Sequence, residues 1–318
     1  MDVASKKPRR REHGVYLDLM ARCAGLPAVV TAVAHPCDAV SLAGAVEAAV
    51  AGLIEPVLVG PPAKIRAAAD VAGLDISKFR LVSAPHSHAA AATAVAMVRA
   101  GEAGMLMKGS LHTDELMHEV VDADTGLRTA RRISHAFLMD IPRYPRPLLI
   151  TDAAINVTPT LEDKLDIVQN VIDLTHVLGV ANPRVAILSA VETVTPKLPS
   201  TIDAAALCKM TDRGQITGGL VDGPLAFDNA VNLKAAREKG IVSAVAGRAD
   251  VLVVPDLEAG NMLVKQLTYL AGADAAGMVL GARVPIVLTS RADSDRSRVA
   301  SCAIGVLMVH AQAPTVTA

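Results

Sequence analysis

From Ala28 onward, short runs of β-branched and aliphatic residues alternate with longer alanine-rich runs whose apolar positions recur at helical spacing. Ala28–Ala34 reads as a strand, Ala39–Gly52 as a helix and Pro56–Val59 as a strand. Lys64–Ala72 reads as a helix, Phe79–Ser83 as a strand, Ala89–Ala100 as a helix and Met105–Met107 as a strand. Alternation of this kind predicts a largely parallel sheet covered on both faces. Residues 121–147 break the rhythm: Asp122, Asp124, Gly126, Arg128, Arg131 and Arg132 are followed by Pro142, Pro145 and Pro147. Prolines bias the residues before them away from helix, so a domain junction is expected near 141–148.

The rhythm restarts with a strand at Leu148–Thr151. Thr160 opens the clearest helix, with Asp163 three residues on as a variant capping box. Leu161, Leu165, Val168, Val171, Ile172 and Leu178 fall at helical spacing, and Gly179 stops the run. Strands are expected at Val185–Leu188, Leu220–Val221, Val251–Val254, Gly277–Leu280 and Pro285–Leu288. Helices are expected at Ala204–Asp212, Asn229–Lys239, Met262–Leu270 and Ser294–His310.

At 318 residues, the chain exceeds the roughly 250–300 at which one core stops growing, so two domains or one large α/β unit are expected. Apolar residues make up 52%, enough to bury a large core. Aromatics make up only 2%, too few for a base-stacking nucleic-acid platform. A net charge of −1 supplies no field to recruit a polyanion. Mean hydropathy is +0.39, yet the longest uncharged stretch, 299–318, carries His310, Gln312 and Pro314. It reads as a buried helix rather than a membrane span. Residues 1–14 read as a flexible basic arm, a solvated tail in preference to a nucleic-acid or membrane contact. Cys23, Cys37, Cys208 and Cys302 form no CxxC pair, which fits a reducing, cytoplasmic compartment.

The chain has no GxxxxGK[ST] phosphate loop, no GxGxxG after its first strand, and neither GxSxG nor HExxH. His86 and His88 lack a third ligand nearby, and His112 and His118 miss the one-turn spacing, so no metal site is expected. Cys208 and Cys302 read as small buried hydrophobes. Three segments carry candidate chemistry. Lys108-Gly109-Ser110 ends a strand, where open α/β sheets bind ligands, and offers a cation, a hydroxyl and close backbone approach to an anion. A turn with a surface lysine is its bland alternative. Residues 212–230 surround Asp222 and Asp228 with glycines and a proline, like a cleft wall; an Asx turn and a helix N-cap are the alternatives. Residues 289–298 place Ser290, Arg291, Asp293 and Asp295 at the start of the last helix, an anion site by its hydroxyls, guanidinium groups and free N–H groups. An N-cap with surface salt bridges is the alternative, but three arginines exceed what capping needs and sit at the wrong end of the helix dipole.

These segments, read in order, resemble the phosphate acyltransferases, the phosphotransacetylase and phosphotransbutyrylase group. The resemblance rests on MKGSLHTDELM (107–117), RRISHAFLM (131–139), LLITDAAINVTPTLEDK (148–164), KMTDRGQITGGLVDGPLAFDNA (209–230), ADVLVVPDLEAGNML (249–263) and LTSRADS (288–294). It implies two α/β domains with mostly parallel sheets and an interdomain cleft, of the isocitrate/isopropylmalate-dehydrogenase-like kind. Domain 1 would comprise 15–141 plus 281–318, and domain 2 would comprise 142–280. The implied reaction is reversible transfer of acetyl, propionyl or butyryl between coenzyme A and phosphate through a ternary complex. Coenzyme A is then a substrate, no cofactor is held permanently, and the protein is a homodimer binding neither nucleic acid nor membrane. In this reading Arg291 holds phosphate and Ser290 donates to the reacting oxygens. Lys108, Ser110, Arg131, Arg132, Asp222, Asp228 and Asp295 line the substrates. The acetyl-specific branch carries its thiol base seven residues after the serine; here that position is Ser297, and Ala292 replaces a glycine. The departure is similar to the butyryl branch and leaves Asp293, then Asp295, or the arginines alone, to activate the thiol. The rivals are a non-catalytic acyl-CoA-binding relative and a dehydrogenase of the same fold.

Overall fold

The computed structural model describes residues 14–288 and 294–312. The chain opens with a helix not anticipated from the sequence, α1 (Gly14–Cys23), whose Val15, Leu19 and Cys23 recur every fourth residue and are buried. The predicted alternation follows: β1 (Val29–Ala34), α2 (Ala39–Val50), β2 (Ile54–Gly60), α3 (Pro62–Ala72), β3 (Arg80–Ser83), α4 (Ser87–Arg99) and β4 (Met105–Lys108). Local chemistry sets the boundaries. Asp38 caps α2 by accepting from Ser41 N at 2.7 Å, and α3 starts on Pro62 and ends at Gly73 with φ +64.

α5 (Thr113–Val121) leads into the interval without rhythm, which holds β5 (Ser134–Asp140). β5 is buried on both faces, so no polar–apolar alternation betrays it. Then come β6 (Leu148–Thr151), α6 (Leu161–Val177), β7 (Arg184–Leu188), α7 (Pro199–Asp212) and β8 (Leu220–Leu225). The Thr160–Asp163 capping box at α6 is present in both directions. The helix expected over 229–239 is split at Asn232 into α8 (Phe227–Val231) and α9 (Leu233–Glu238), because Asn232 turns extended and caps the second piece. β9 (Val251–Val253), α10 (Leu257–Ala271), β10 (Asp274–Leu280), β11 (Ile286–Val287) and α11 (Asp295–Gln312) complete the chain.

The strands form one 11-stranded sheet in the order β3-β2-β1-β4-β11-β10-β5-β6-β9-β7-β8. The first five run parallel, as do the last four, while β10 and β5 pair antiparallel to every neighbour. The two parallel arms therefore point their carboxyl ends to opposite edges. One face carries a continuous core under α1, α2, α3, α6, α7 and α11. The other face carries two separate cores, one under α4 and α5 and one with α8, α9 and α10. Strand residues alternate between them: Val33 belongs to the first core, Ala32 and Ala34 to the second. No helix among the described residues is long and apolar enough to cross a membrane, and α11 is instead buried along most of its length.

Candidate active site

The carboxyl ends of β1 and β4 meet closely. Gly109 N donates to Ala34 O at 2.8 Å and Ser110 N to His35 O at 2.9 Å. A Cβ on Gly109 would stand 2.4 Å from Ala34 O and 2.5 Å from His35 O, so only glycine fits this crossing. His35 itself lies in the left-handed region, with φ +55. Ser110 Oγ donates to His35 O at 2.8 Å, accepts from Cys37 N at 3.2 Å and stands 3.1 Å from His35 Nδ1. Burial first, then the Lys64 cation, holds the His35 imidazole below its usual pKa. Beside them Lys108 is only 9% exposed, and its Nζ donates to Gly109 O at 3.1 Å. A buried cation thus sits at the carboxyl end of a central parallel strand.

β11 pairs parallel to β4 with Val287 opposite Met107, so the chain leaves the sheet at the level of Lys108. Ser290, Arg291 and Asp293 follow there and lie outside the described residues. Beyond them Ser294 Oγ accepts from Ser297 N at 3.2 Å, which makes Ser294 a side-chain cap of α11. Asp295, the first residue of α11, pairs with Arg298 Nη2 at 3.3 Å. Arg298 is buried, its stem occupying the space that a Cβ on Gly44 of α2 would fill. Arg296 lies 3.7 Å from Asp274 and over the Tyr16 ring. These two arginines fasten α11 at its amino end, which accounts for cations at the unfavourable end of its dipole.

Arg131 and Arg132 part company. Arg131 pairs with Asp173 on α6 and lines a cavity of about 350 Å³ beside Thr129 and Asn170. Arg132 turns to the segment after β6: Nε donates to Asn156 Oδ1 at 2.8 Å and Nη1 lies 3.4 Å from Asp163. Neither stands against Lys108. Arg132 lies two residues before Ser134, which pairs with Leu280, whereas Val287 at the β11 exit stands opposite Met278. That offset is at least three residues, roughly 10 Å along the strands, besides two strand spacings across them.

Asp222 lies on β8, seven places from β4 in the strand order, and Asp228 on α8, which follows β8. Asp222 Oδ1 accepts from Gly223 N at 2.8 Å. Asp228 does not cap its helix: Ala226 holds that position, and Asp228 pairs with Lys239 at 3.5 Å. The structure does not bring either carboxylate to Lys108. Among the described residues, no three His, Cys, Asp or Glu side chains gather as a metal site. All four cysteines are free thiols, and burial pushes Cys302 up to about 12.

Three further groups carry no clear signal in the sequence. His35 follows a strand and precedes a proline, a signal that mimics an ordinary turn. Asp152 and Asn156, both 3% exposed, sit inside a run that reads as a loop. His135 on β5 is 1% exposed, and its ring lies 4.4 Å from that of Phe137. A Cβ on Gly277 would stand 2.9 Å from the ring, and burial pushes its pKa down to about 3.

A model of the phosphate acetyl/butaryl transferase family matches residues 86–306. A phosphate acetyltransferase of Rhizobium meliloti is 65% identical over 292 residues, 92% of this chain and 92% of that protein. A phosphate butyryltransferase of Clostridium acetobutylicum is 42% identical over 257 residues, 81% of this chain and 85% of that protein. The crystal structure of a branched-chain phosphotransacylase from Enterococcus faecalis superposes with a TM-score of 0.78 at 29% identity, covering 89% of this chain and 99% of that one. Fold and sequence together define an α/β acyltransferase. The chain belongs to the phosphate acetyl/butyryl transferase family.

Proposed function

We propose that the chain transfers a short acyl group reversibly between coenzyme A and inorganic phosphate in a ternary complex. The observation that carries this reading is the carboxyl edge of β4, where buried Lys108 and hydrogen-bonded Ser110 stand level with the exit of β11. The segment with Ser290 and Arg291 begins at that exit. A phosphate oxygen attacks the thioester carbon, the carbonyl oxygen takes up charge, and the C–S bond breaks to give acyl phosphate and a thiolate. Lys108 supplies positive charge where both anions develop. The resemblance gives Arg291 to phosphate and Ser290 to the reacting oxygens. The family's base position is Ser297 here, so the thiol proton falls to Asp293, the carboxylate nearer the Ser-Arg pair, with Asp295, engaged by Arg298, second.

Arg132 is read as a ligand of the phosphates of coenzyme A. Its offset along the sheet suits an anion carried away from the thiol by the extended pantetheine arm, whereas Arg131 is turned to Asp173. The named relatives span acetyl and butyryl, and the Ser-Arg-Ala-Asp-Ser loop favours an acyl site that takes propionyl or butyryl at least as well as acetyl. The separate cores on one sheet face support two domains, 15–141 plus 281–318 and 142–280, with the substrates in a cleft between them. A homodimer is supported by the apolar stripe of α10, where Met262 is 57% exposed, Tyr269 71% and Leu270 85%. No cofactor is held permanently, and the free cysteines suit the cytoplasm. Arsenolysis tests the function. With arsenate and a panel of acyl-CoA thioesters, the protein releases free coenzyme A with neither metal nor nicotinamide present; no release from any thioester rejects the assignment.

A further inference from the structure

Arg132 presents a guanidinium that is half exposed and yet fixed. Its side chain is 54% exposed. Its backbone is held from both sides, N donating to Asp166 Oδ2 at 2.7 Å and O accepting from Asn170 Nδ2 at 2.9 Å. Its Nε is held by Asn156 and its Nη1 by Asp163, while no described residue accepts from Nη2. Fixing an arginine removes much of its rotamer freedom, a cost justified where a planar donor must meet an anion in one orientation.

What fixes the Nε edge is a buried relay. Asn156 Nδ2 donates to Asp152 Oδ2 at 2.6 Å and to Ile133 O at 2.9 Å, which leaves Oδ1 facing Arg132. Asp152 accepts in addition from the N–H groups of Ala154, Ile155 and Asn156, at 2.9, 3.0 and 3.2 Å. With a carboxyl oxygen behind it that already accepts from main-chain N–H, the amide cannot flip: reversal would set two oxygens against each other and two N–H groups against the guanidinium. The neutral amide also orients Arg132 without pairing a second carboxylate with it, so its charge remains available to a ligand.

We infer that Asn156, backed by Asp152, is a positioning residue that aims Arg132 at a phosphate group of coenzyme A. The inference rests on the reading of Arg132 given above. It concerns residues that the reaction does not touch, and it makes the segment after β6 part of substrate recognition.

The test is a double-mutant cycle on the full-length protein with Arg132→Ala, Asn156→Ala and both, read as KM for acyl-CoA, KM for phosphate and kcat. Acyl-pantetheine, which lacks the nucleotide phosphates, serves as the comparison substrate. Asn156→Ala is expected to raise the KM for acyl-CoA about tenfold, to leave kcat and the KM for phosphate within about twofold, and to leave acyl-pantetheine turnover unchanged. In the Arg132→Ala background the same change should add less than about twofold. A normal KM in Arg132→Ala overturns the reading of Arg132 and the inference with it. A tenfold rise in Arg132→Ala with either no effect of Asn156→Ala or an undiminished effect in the double variant overturns the inference alone. Should Asn156→Ala not fold, the pair Asp152→Asn with Asn156→Asp supplies the same decision. Asn156→Asp alone sets two carboxylates face to face and raises the KM for acyl-CoA; adding Asp152→Asn restores a donor–acceptor pair and lowers it again. Absence of that recovery counts against the relay.

Discussion

The carboxyl edge of β4 and the segment after β6 each present a cation, and they do so by opposite means. Lys108 is buried and its ammonium donates to a main-chain carbonyl, at a crossing where backbone touches backbone. Arg132 is half exposed and is held by side chains that converge on it from α6 and from the loop after β6. The first site is rigid because its neighbours are main chain, and it tolerates little change. The second is adjustable because each of its supports is a replaceable side chain. A reacting centre gains from the first kind of construction, where charge must be in place before it develops. A handle on a distant part of the substrate is served by the second.

The largest effect is expected from adding one methyl group at the rigid site. Gly109→Ala places a Cβ within 2.6 Å of three main-chain atoms of Ala34 and His35, none of which can rotate away. The β1–β4 crossing must open, at about 3 kcal/mol of stability, and turnover should become undetectable. Equilibrium denaturation and initial rates measure the two losses. A variant with normal stability and rate would show that the crossing is soft and the contrast with Arg132 false.

Lys108→Met separates charge from packing at the same place. A buried cation is costly to desolvate, and an apolar side chain of similar length restores its volume. Stability should hold or rise while kcat falls about a hundredfold, the size expected for loss of a preorganised charge. If kcat survives, Lys108 is a structural lysine and the reacting charge must be met from residues 289–293.

Much of this arrangement is legible in the sequence. The pattern ends the strand at Met107, one residue short, and marks Lys108, Gly109 and Ser110 as a cation, a glycine and a hydroxyl at a strand end. It does not mark the partner across the crossing, because a single histidine before a proline looks like any turn. β5 is hidden for a stronger reason. Its residues are buried on both faces, so the period of two vanishes, and the arginines before it and prolines after it dominate the local pattern. Nor could sequence choose between Arg131 and Arg132. Adjacent residues outside regular structure have no shared periodicity, and only the positions of Asp173 and Asn156 decide which way each points. Asn156 itself lies among apolar residues with no local signal, and its role follows from a contact 24 positions back in the chain.

Between the two regions lies His135, and it makes the core under both of them sensitive to acid. Its folded pKa is pushed to about 3 by burial, against about 6.5 in an unfolded chain. The unfolded state therefore takes up a proton first as pH falls below 6.5, and stability is lost in that direction. From pH 7 to pH 5 the loss from this group amounts to about 2 kcal/mol. Urea denaturation at the two pH values should show it, and His135→Asn should flatten the slope whatever it does to absolute stability. An equal slope in both proteins would place the acid sensitivity elsewhere.

The smallest effect is expected at the adjustable site, from Asp163→Asn. Asp163 does two things at once: it closes the capping box of α6 by accepting from Thr160 N at 2.9 Å, and it stands 3.4 Å from Arg132 Nη1. Burial pushes its carboxyl up, but the Thr160 donors and the Arg132 charge outweigh this and hold it below the usual range. Its stabilising effect is therefore complete above the unfolded value near 3.8 and fades only as pH drops through the lowered one. Asparagine keeps an acceptor for Thr160 N and loses the charge, so about 0.5–1 kcal/mol of helix capping and charge interaction should go. Arg132 would keep its hold on Asn156 and lose only a neighbour that competes with the ligand for its charge. The KM for acyl-CoA should then move by no more than about twofold, because an exposed ion pair of this geometry contributes little. A shift as large as that of Asn156→Ala would mean that the carboxylate, and not the amide, aims the guanidinium, and would reverse the roles of the two supports.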